Sequence, residues 1–545
     1  MQYLIAAVLL LIPGALAAAL HCRLKGQKKS PRWLAVYAAY TLLIGGALCG
    51  FKLLRGASLS GLFSWFAPPL SFAFYGAAAC AMAVVLPLLY VLLTERRLAV
   101  RCERDAQVME NDPPAHWNGK RALRVFLRIA CVLLTGILLG GLLVTAVYLL
   151  PVRSIQENVR ESAATVESEG SYPFLYSNWR STRLDNFTDS IMMLIAAYDG
   201  DQGLIGNAML STYTRFADCD PAQGLVKWAT GATDGMETHS YSRYWHGYLV
   251  WLKPLLTVFN YAQLRVLNAV LQILLVAAAL AALWVKKQKR LLLPFLLMVL
   301  FLTPVALYRS FQFSWVFYVC VISTIVLLLR FPKMEAKRSV YLLLLVTGMA
   351  TSYVDFLTYP LITLGVPLAV HAVLRGRGGW RRAVADVAAL SLTWGVGYVG
   401  MWAGKWVLCT LLTGSDVLLT VQDNIAARMS SAYDAEVFTW VDVVKRNIEA
   451  YNHWIYLGPF LLCLAVCAFL YGREHIRIRD RRLTVSAAWA GGTLLPLLLV
   501  SAIPFAWYFV AANHTYIHYW FAHRTLAITA FAVPAVFARR GKADR

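Results

Sequence analysis

Charged residues are scarce in this sequence. Asp, Glu, Lys and Arg make up 15% of the 545 residues, whereas apolar residues make up 59%. This balance excludes an ordinary soluble domain and predicts a polytopic membrane protein.

Motifs that would indicate several common functions are also missing. The chain has no P-loop and no dinucleotide-binding fingerprint, which argues against an ATP-driven pump. Its ten cysteines show no CxxC or Cys/His ligand spacing, so we expect neither a disulfide nor structural zinc. The apolar first twenty residues lack a basic start, which favours an uncleaved first helix over a signal peptide.

The basic residues follow a pattern. Seven clusters between apolar runs hold 34 of the 51 Lys and Arg residues and account for most of the net charge of +22. Because basic loops stay cytoplasmic, the clusters indicate orientation and partnership with anionic membrane lipids, not with nucleic acid. The clusters are 23–32, 96–128, 286–290, 330–338, 375–382, 473–482 and 539–545.

Apolar segments alternate with these clusters. Each is near the length of about 20 residues that crosses a bilayer. They predict an all-α helical bundle of about 13 membrane-spanning helices, with the N-terminus outside and the C-terminus inside. The segments are 2–21, 34–54, 69–94, 125–150, 266–285, 291–308, 315–329, 339–355, 357–374, 384–412, 455–472, 483–511 and 521–538.

Most of the side chains that could take part in catalysis lie in the loops on the other side of the membrane from the basic clusters. Two large outer loops are predicted at 152–260 and 415–454, the second with a helix at 438–450. Between residues 152 and 246 the first loop carries seven basic and twelve acidic residues. The short segments 352–360 and 513–524 are also dense in polar and aromatic groups. The outer face is therefore the predicted working face.

Two aspartates stand out in the first outer loop. Asp185 and Asp189 are four residues apart, so on a helix they share one face. A carboxylate at the membrane surface can act as a general base towards a hydroxyl. The alternative is that Asp185 caps the helix and Asp189 lies near its positive end. Both interpretations can hold together.

Five cations lie at outer membrane boundaries, where the orientation rule disfavours them. We expect Lys52 and Arg265 to reach ordinary lipid headgroups. A charge within an apolar span costs roughly 2–3 kcal/mol, so Lys405, Arg309 and Arg524 are candidates for contact with a lipid phosphate.

Further candidates lie at the same face. His514 and His518 have the i, i+4 spacing of a helical metal pair without an HExxH glutamate. Metal ligation, phosphate or sugar binding, and simple placement in the aromatic belt of the membrane interface stay open. Asp355, followed by Tyr359, is either functional or paired with Lys405 or Arg309.

The end of the first outer loop supplies more polar and aromatic groups. Arg243 and His246 lie among tyrosines and a tryptophan that are able to stack on sugar rings, the alternative being an interfacial helix.

Over residues 125–540 this arrangement resembles the GT-C superfamily of membrane glycosyltransferases. A core helix at 125–150 leads into an outer loop with acidic residues, and a second large outer loop follows at 415–454. An adjacent Asp-Glu pair and a WWDYG-type motif are absent, so no subfamily is assigned. The residues 1–124, with three predicted helices, have no counterpart and form a separate N-terminal module; 125–545 form the catalytic module.

The resemblance implies an inverting glycosyltransferase of a bacterial cytoplasmic membrane. It would move a sugar from a polyprenyl-phosphate carrier to a glycan, lipid or protein hydroxyl at the outer face, with a divalent cation as an open possibility. Asp185 or Asp189 would be the base, and Arg524 with Lys405 or Arg309 would contact the phosphate. The alternatives are an O-antigen ligase or polymerase type of enzyme using His514, His518 and Arg524, or a lipid or solute transporter.

Overall fold

A computed structural model describes most of the chain from residue 119 onwards and parts of what precedes it. The predicted helix 69–94, most of 2–21 and the basic cluster 539–545 lie outside the described residues, as does the side chain of Lys52. The described residues are 11, 14–15, 17–19, 21–22, 32–54, 99–103, 119–177, 179–200, 202–376, 379–415, 417, 427–433, 436–475, 477–479, 482–486 and 490–538.

Helices dominate the described residues, and the strands are short. The helices are α1 Arg32–Leu54, α2 Gly119–Ala146, α3 Val152–Glu169, α4 Asn186–Ala197, α5 Gly203–Leu210, α6 Pro221–Ala229, α7 Leu249–Leu256, α8 Tyr261–Val285, α9 Leu292–Phe301, α10 Pro304–Leu307, α11 Phe311–Ala336, α12 Val340–Val354, α13 Ile362–Arg375, α14 Trp380–Thr413, α15 Trp440–Ile448, α16 Trp454–His475, α17 Leu495–Val510, α18 Ala512–Ile517, α19 Tyr519–Ala522 and α20 Ala527–Ala535. The strands are β1 Ala99–Glu103, β2 Tyr213–Phe216, β3 Met236–His239, β4 Ala432–Tyr433, β5 Glu436–Val437, β6 Arg477–Arg479 and β7 Arg482–Ser486.

Six helical segments of the described chain are long and apolar enough to cross a membrane. They expose many leucines and valines that a soluble protein would bury, as Leu142 at 66% and Leu274 at 60% illustrate. The protein is therefore an all-α membrane protein, as its composition predicts. The six segments are Leu123–Leu149, Tyr261–Val285, Phe311–Ala336, Trp380–Thr413, Trp454–Gly472 and Gly492–Val510.

Two predicted spans have different bounds in the structure. The short span 315–329 belongs to α11, which runs for 26 residues and is long enough to cross a bilayer. The span 291–308 is broken, because Thr303 takes a left-handed conformation at φ 55° between α9 and α10. Pro304 follows and cannot donate the hydrogen bond that would continue the first helix.

The predicted span 357–374 begins later than its apolar run. The helix α13 starts at Ile362, and Leu357 adopts a left-handed φ of 68° in the irregular segment before it. Residues 355–361 therefore form a turn beside the outer polar groups.

The first outer loop folds into a small helical layer. In α3 the residues Ile155, Val159, Ala163 and Val166 recur at helical spacing and are buried. The strands β2 and β3 pair antiparallel next to this layer. The predicted helix 438–450 of the second loop is confirmed as α15, which begins with a capping box between Thr439 and Asp442.

The helices α12 and α14 pack at backbone contact. A Cβ on Gly348 would lie 2.2 Å from Trp394 O, and one on Gly397 would lie 2.1 Å from Leu345 O. Small residues permit such close approach between helices in membranes. This contact fixes the end of α12, where the turn with Asp355 starts.

The predicted outer segments meet on one side of the bundle, and two basic clusters meet on the other. Trp520 contacts Asp185, whereas Arg375 forms ion pairs with Glu335 and Asp386 at the opposite helix ends. The segments that hold Asp185 and Trp520 thus lie at the opposite end of the bundle from the basic cluster around Arg375.

Candidate functional site

Asp185 is the N-cap of α4. Its Oδ1 accepts the backbone N–H of Thr188 at 2.9 Å, and its Oδ2 accepts the indole N–H of Trp520 at 3.2 Å. Burial raises the pKa of Asp185, and the hydrogen bonds from Thr188 and Trp520 oppose that rise. The capping role expected from the sequence is present, and the carboxylate keeps lone pairs beyond these two bonds.

Asp189 holds the start of another helix. It accepts the backbone N–H groups of Phe311 at 2.9 Å and Gln312 at 3.0 Å, and the hydroxyl of Tyr261 donates to it at 2.5 Å. These are the first residues of α11, whose N–H groups have no partner inside the helix. Burial raises the pKa of Asp189 to about 7 against these hydrogen bonds. The side chain is fully buried, so Asp189 anchors the outer layer to the membrane helices.

Arg524 is fully buried and bonded to the backbone. Its guanidinium donates to Leu302 O at 3.1 Å, Trp520 O at 2.6 Å and Ser181 O at 3.1 Å. It also lies 4.1 Å from the ring centre of Phe313. Arg524 therefore ties together three chain segments next to the site.

Lys405 shares no hydrogen-bond partner with Arg524 among the described contacts. Its fully buried ammonium donates to Met209 O at 2.6 Å. Asp355 instead accepts the backbone N–H and hydroxyl of Thr358. No ion pair joins Asp355 to Lys405 or Arg309 within the part of the chain that the structure describes, so of the two interpretations of Asp355 the pairing is not present there.

Arg265 does not reach lipid headgroups, contrary to expectation. It is buried and donates to both oxygens of Glu169 at 2.7 and 2.9 Å, and its Nε donates to Arg309 O. Burial alone would raise the pKa of Glu169, but the Arg265 guanidinium holds it below its ordinary value. The cation finds a carboxylate inside the protein because α3 ends beside α8. The half-buried guanidinium of Arg309 makes no hydrogen bond among the described contacts.

A cation that the sequence did not single out lies at the centre of the site. Arg428 contacts His514 Nδ1 at 2.5 Å and the Tyr244 hydroxyl at 3.2 Å. His514 Nε2 lies 2.7 Å from Leu357 O, so it carries the proton and leaves Nδ1 to accept from Arg428. The orientation rule disfavours an arginine in the outer loop 415–454. That feature of the sequence could have identified Arg428 as a candidate.

Arg243 adds a second cation to this cluster. Its guanidinium lies 5.5 Å from the ring centre of Tyr244 and 4.8 Å from that of Tyr241. Burial and then the Arg428 and Arg243 charges lower the pKa of His518 to about 3. Two guanidinium groups and two neutral imidazoles thus converge here, an arrangement suited to an anion. We call Arg243, Arg428, His514 and His518 the outer cation cluster.

The outer cation cluster is continuous with Asp185. The rings of His514 and His518 lie 4.9 Å apart, and those of His518 and Trp520 lie 5.0 Å apart. Trp520 then donates to Asp185. His518 Nδ1 has no hydrogen-bond partner among the described atoms. The acid, imidazoles and arginines of four distant segments therefore form one site.

His246 and Tyr359, both predicted to bind substrate, form hydrogen bonds to other groups of the protein. His246 is buried with φ 53°; its Nε2 donates to Tyr241 O at 2.7 Å and its Nδ1 accepts from Tyr248. The hydroxyl of the buried Tyr359 donates to Phe313 O. Both side chains hold the walls of the site in place.

An apolar groove of about 640 Å³ runs between α7, α8, α11 and α12. It is open at the surface, where Trp251 and Ile322 are 62% and 51% exposed. Only a few polar groups, such as Asn268 and Ser314, interrupt its lining. A groove of this size and character suits a long apolar chain.

Ring contacts connect the groove to the outer cation cluster. Trp315 lines the groove and lies 6.3 Å from Tyr248. Tyr248 lies 5.1 Å from Phe356, which lies 5.4 Å from Tyr244. Tyr244 in turn bonds to Arg428. One wall of aromatic rings therefore leads from the apolar groove to the cations.

A second cleft, of about 660 Å³, is lined by Tyr519, whose ring lies 5.9 Å from that of Trp520. Arg446 lies over the rings of Tyr516 at 4.3 Å and Tyr519 at 4.8 Å. Arg180 reaches the same cleft and pairs with Glu449 at 2.9 Å. Aromatic rings with charged neighbours suit a sugar-containing ligand.

No group of three or more His, Cys, Asp or Glu side chains able to hold a metal ion occurs within the described ranges. His514 and His518 are adjacent, but His514 already bonds to Leu357 and Arg428. The metal interpretation of this pair therefore lacks a third ligand among these residues.

Comparison with known proteins adds no assignment: no family model, curated protein or solved structure matches the chain.

Proposed function

We propose that the protein is an inverting glycosyltransferase that uses a polyprenyl-phosphate-linked sugar. The carrier's isoprenoid tail would lie in the apolar groove and its phosphate at the outer cation cluster. The observation that carries the proposal is the wall of rings from Trp315 to Tyr244, which joins a lipid-sized groove to two arginines.

The phosphate would replace the internal partners of the cluster. Arg428 holds a neutral imidazole at His514, a weaker partner than a phosphate oxygen. Arg243 lies 4.8 Å from the Tyr241 ring and keeps its charge beside the same tyrosines. Departing phosphate gains negative charge as its bond to the sugar breaks, and fixed guanidinium groups stabilise that charge. Arg524 would support the site through Trp520.

Asp185 is the proposed base. The acceptor hydroxyl oxygen attacks the anomeric carbon and forms the new glycosidic bond. Its proton passes to Asp185, the bond from the anomeric carbon to the carrier oxygen breaks, and polyprenyl phosphate leaves with that electron pair. Burial raises the pKa of Asp185, and a raised pKa strengthens a carboxylate as base near neutral pH. Asp189 is less suited, because three donors occupy it.

The cleft of Arg446 and Tyr519 would receive the acceptor. Its lining residue Tyr519 lies 5.9 Å, ring to ring, from Trp520, the residue that contacts Asp185. The acceptor would be a glycan, a lipid or a protein of the cell envelope.

The same proposal assigns the orientation. The chain would cross a bacterial cytoplasmic membrane about 13 times, N-terminus out and C-terminus in, with the outer cation cluster on the extracytoplasmic side. Residues 125–545 would form a GT-C-like catalytic module, and residues 1–124 an added one. The separation of Arg375 and its neighbours from Asp185 supports this orientation.

A second function of the same class is favoured by the contact between Arg428 and His514. A ligase or polymerase acting on lipid-pyrophosphate glycans would use arginines and histidines in place of an acid. The two functions differ in their dependence on Asp185.

The test is transfer by the purified protein in proteoliposomes. Polyprenyl-phosphate and polyprenyl-pyrophosphate donors with labelled sugars would be offered with glycan, lipid and peptide acceptors. The proposal expects product of inverted configuration together with free polyprenyl phosphate. Turnover of pyrophosphate donors alone would favour the second function, and turnover of neither donor would contradict both.

A further inference from the structure

A polar cavity of about 450 Å³ lies at the other end of the bundle from Asp185. The ends of α11, α12, α13 and α14 meet there. Its charged lining comes from three of those helices and from the turn that joins α11 to α12, and consists of Glu335, Arg338, His371, Arg375, Arg382 and Asp386. We call these six residues the arginine pocket.

The carboxylates of the arginine pocket are already paired. Arg375 forms ion pairs with Glu335 at 3.5 Å and with Asp386. His371 lies 3.2 Å from the other oxygen of Glu335 and is buried. Among the described lining residues, three arginines stand beside two carboxylates, so positive charges outnumber negative ones there.

A helix start adds to this positive potential. The helix α12 begins at Val340, which lines the pocket, and no side chain caps its first turn. The first N–H groups of a helix have no partner within it and carry a partial positive charge. Arg338, immediately before this helix, is exposed and makes no ion pair among the described contacts.

The pocket also has an apolar margin. Leu390 and the 37%-exposed ring of Tyr341 line it, and Trp380 at the start of α14 is 56% exposed. Exposed tryptophan and tyrosine at helix ends are typical of the membrane interface. A headgroup in the pocket would thus have its acyl chains beside apolar helix surface.

We propose that the arginine pocket binds a phosphate group, supplied by an anionic phospholipid or by a soluble phosphate compound. Basic pockets between helix ends bind such headgroups at the cytoplasmic side of membranes. Arg338, Arg382 and the first turn of α12 would contact the phosphate, while Arg375 keeps the two carboxylates neutralised. This site is separate from the transferase site and does not depend on it.

The experiment uses the full chain in nanodiscs. Its unfolding temperature would be compared in phosphatidylcholine with and without phosphatidylglycerol, and in phosphatidylcholine with inorganic phosphate against chloride of equal ionic strength. A ligand that binds only the folded state raises this temperature. A rise with phosphatidylglycerol identifies the lipid source, and a rise with inorganic phosphate alone identifies the soluble one.

Variants separate the pocket from general surface charge. Arg338→Gln with Arg382→Gln removes two pocket cations and leaves the Arg375 ion pairs; Arg330→Gln with Lys333→Gln removes two exposed cations of α11 outside the pocket. We expect the first pair to weaken retention of the phosphate ligand in native mass spectrometry by roughly tenfold or more. The second pair should retain it. Equal losses in both pairs, or no ligand-dependent rise in the parent protein, would overturn the proposal.

Discussion

The indole N–H of Trp520 donates to the carboxylate of Asp185 at 3.2 Å, across 335 positions of sequence. This bond joins the acidic start of α4 to the histidine segment that precedes α20. It places the proposed base against Trp520, whose ring lies 5.0 Å from that of His518 in the outer cation cluster.

Asp185→Asn should lower turnover while leaving the fold intact. Asn is as good an N-cap as Asp, so the hydrogen bond to Thr188 can remain. Loss of a general base costs about 10²–10⁴-fold in rate. Turnover and donor binding would be measured separately in the same proteoliposomes.

The matched variant is Asp220→Asn, an N-cap of α6 in the same outer layer but outside the site. It should keep full turnover. If Asp185→Asn keeps the turnover of the parent protein, Asp185 is not the general base, and the mechanism based on arginine and histidine is favoured.

Asp189 should make stability depend on pH. Its pKa in the folded state is raised to about 7 by burial, so the folded protein binds the proton more tightly than the unfolded chain. Stability from this group is therefore lost as the pH rises from about 4 to about 7.

Thermal unfolding in detergent over that range measures the effect. Asp189→Asn should flatten the dependence, and should itself cost about 1–3 kcal/mol through disturbed hydrogen bonds to Phe311 and Gln312. An unchanged pH dependence in the variant would assign the effect to another group.

Filling the groove should weaken donor binding. Ala350 lines the groove, and Ala350→Phe would occupy space that the isoprenoid tail needs. We expect the donor KM to rise by about tenfold or more, since each lost buried CH₂ contact costs about 0.8 kcal/mol. Ala281→Phe is the control, because Ala281 is exposed on α8 outside the groove. Similar donor KM values for the two variants would contradict binding of the isoprenoid tail in this groove.

Arg428→Gln should weaken contact with the donor phosphate. A hydrogen bond between charged groups contributes about 1.5–3 kcal/mol, which corresponds to about ten- to a hundredfold in binding. Donor affinity would be measured by titration with a fluorescent polyprenyl phosphate. Arg153→Gln, in an exposed pair with Glu157, controls for surface charge. A phosphate-free polyprenol should bind both variants equally; equal affinity of Arg428→Gln and the parent for the phosphate would contradict the assignment.

The membrane class and the local structure around Asp185 were predictable from the sequence. Apolar run length indicates spanning helices, and the spacing of Asp185 and Asp189 indicates a capped helix, which the structure contains. Both signals are local, so they need no knowledge of tertiary contacts.

The partners of the buried cations were not predictable. Lys405 and Arg524 donate to carbonyls of Met209 and Ser181, which are 196 and 343 positions away. Backbone carbonyls leave no mark in the sequence, so a buried arginine bonded to them looks the same as one that binds phosphate. Arg265 was assigned to headgroups for a similar reason, because its partner Glu169 belongs to a distant helix.

The groove and the role of Arg428 also required the fold. The groove lies between four helices that are distant in sequence or joined by turns, and its lining is almost wholly apolar. Arg428 became notable only through its contacts with His514 and Tyr244.

The most direct measurement is photo-cross-linking of a polyprenyl phosphate that carries a diazirine along its tail, followed by peptide mapping. We expect labelled positions on α11 and α12, with labelling lost in Ala350→Phe and kept in Ala281→Phe. If the label is instead spread over the outer surface of α8 and its amount does not change in Ala350→Phe, the carrier lipid does not bind in the groove.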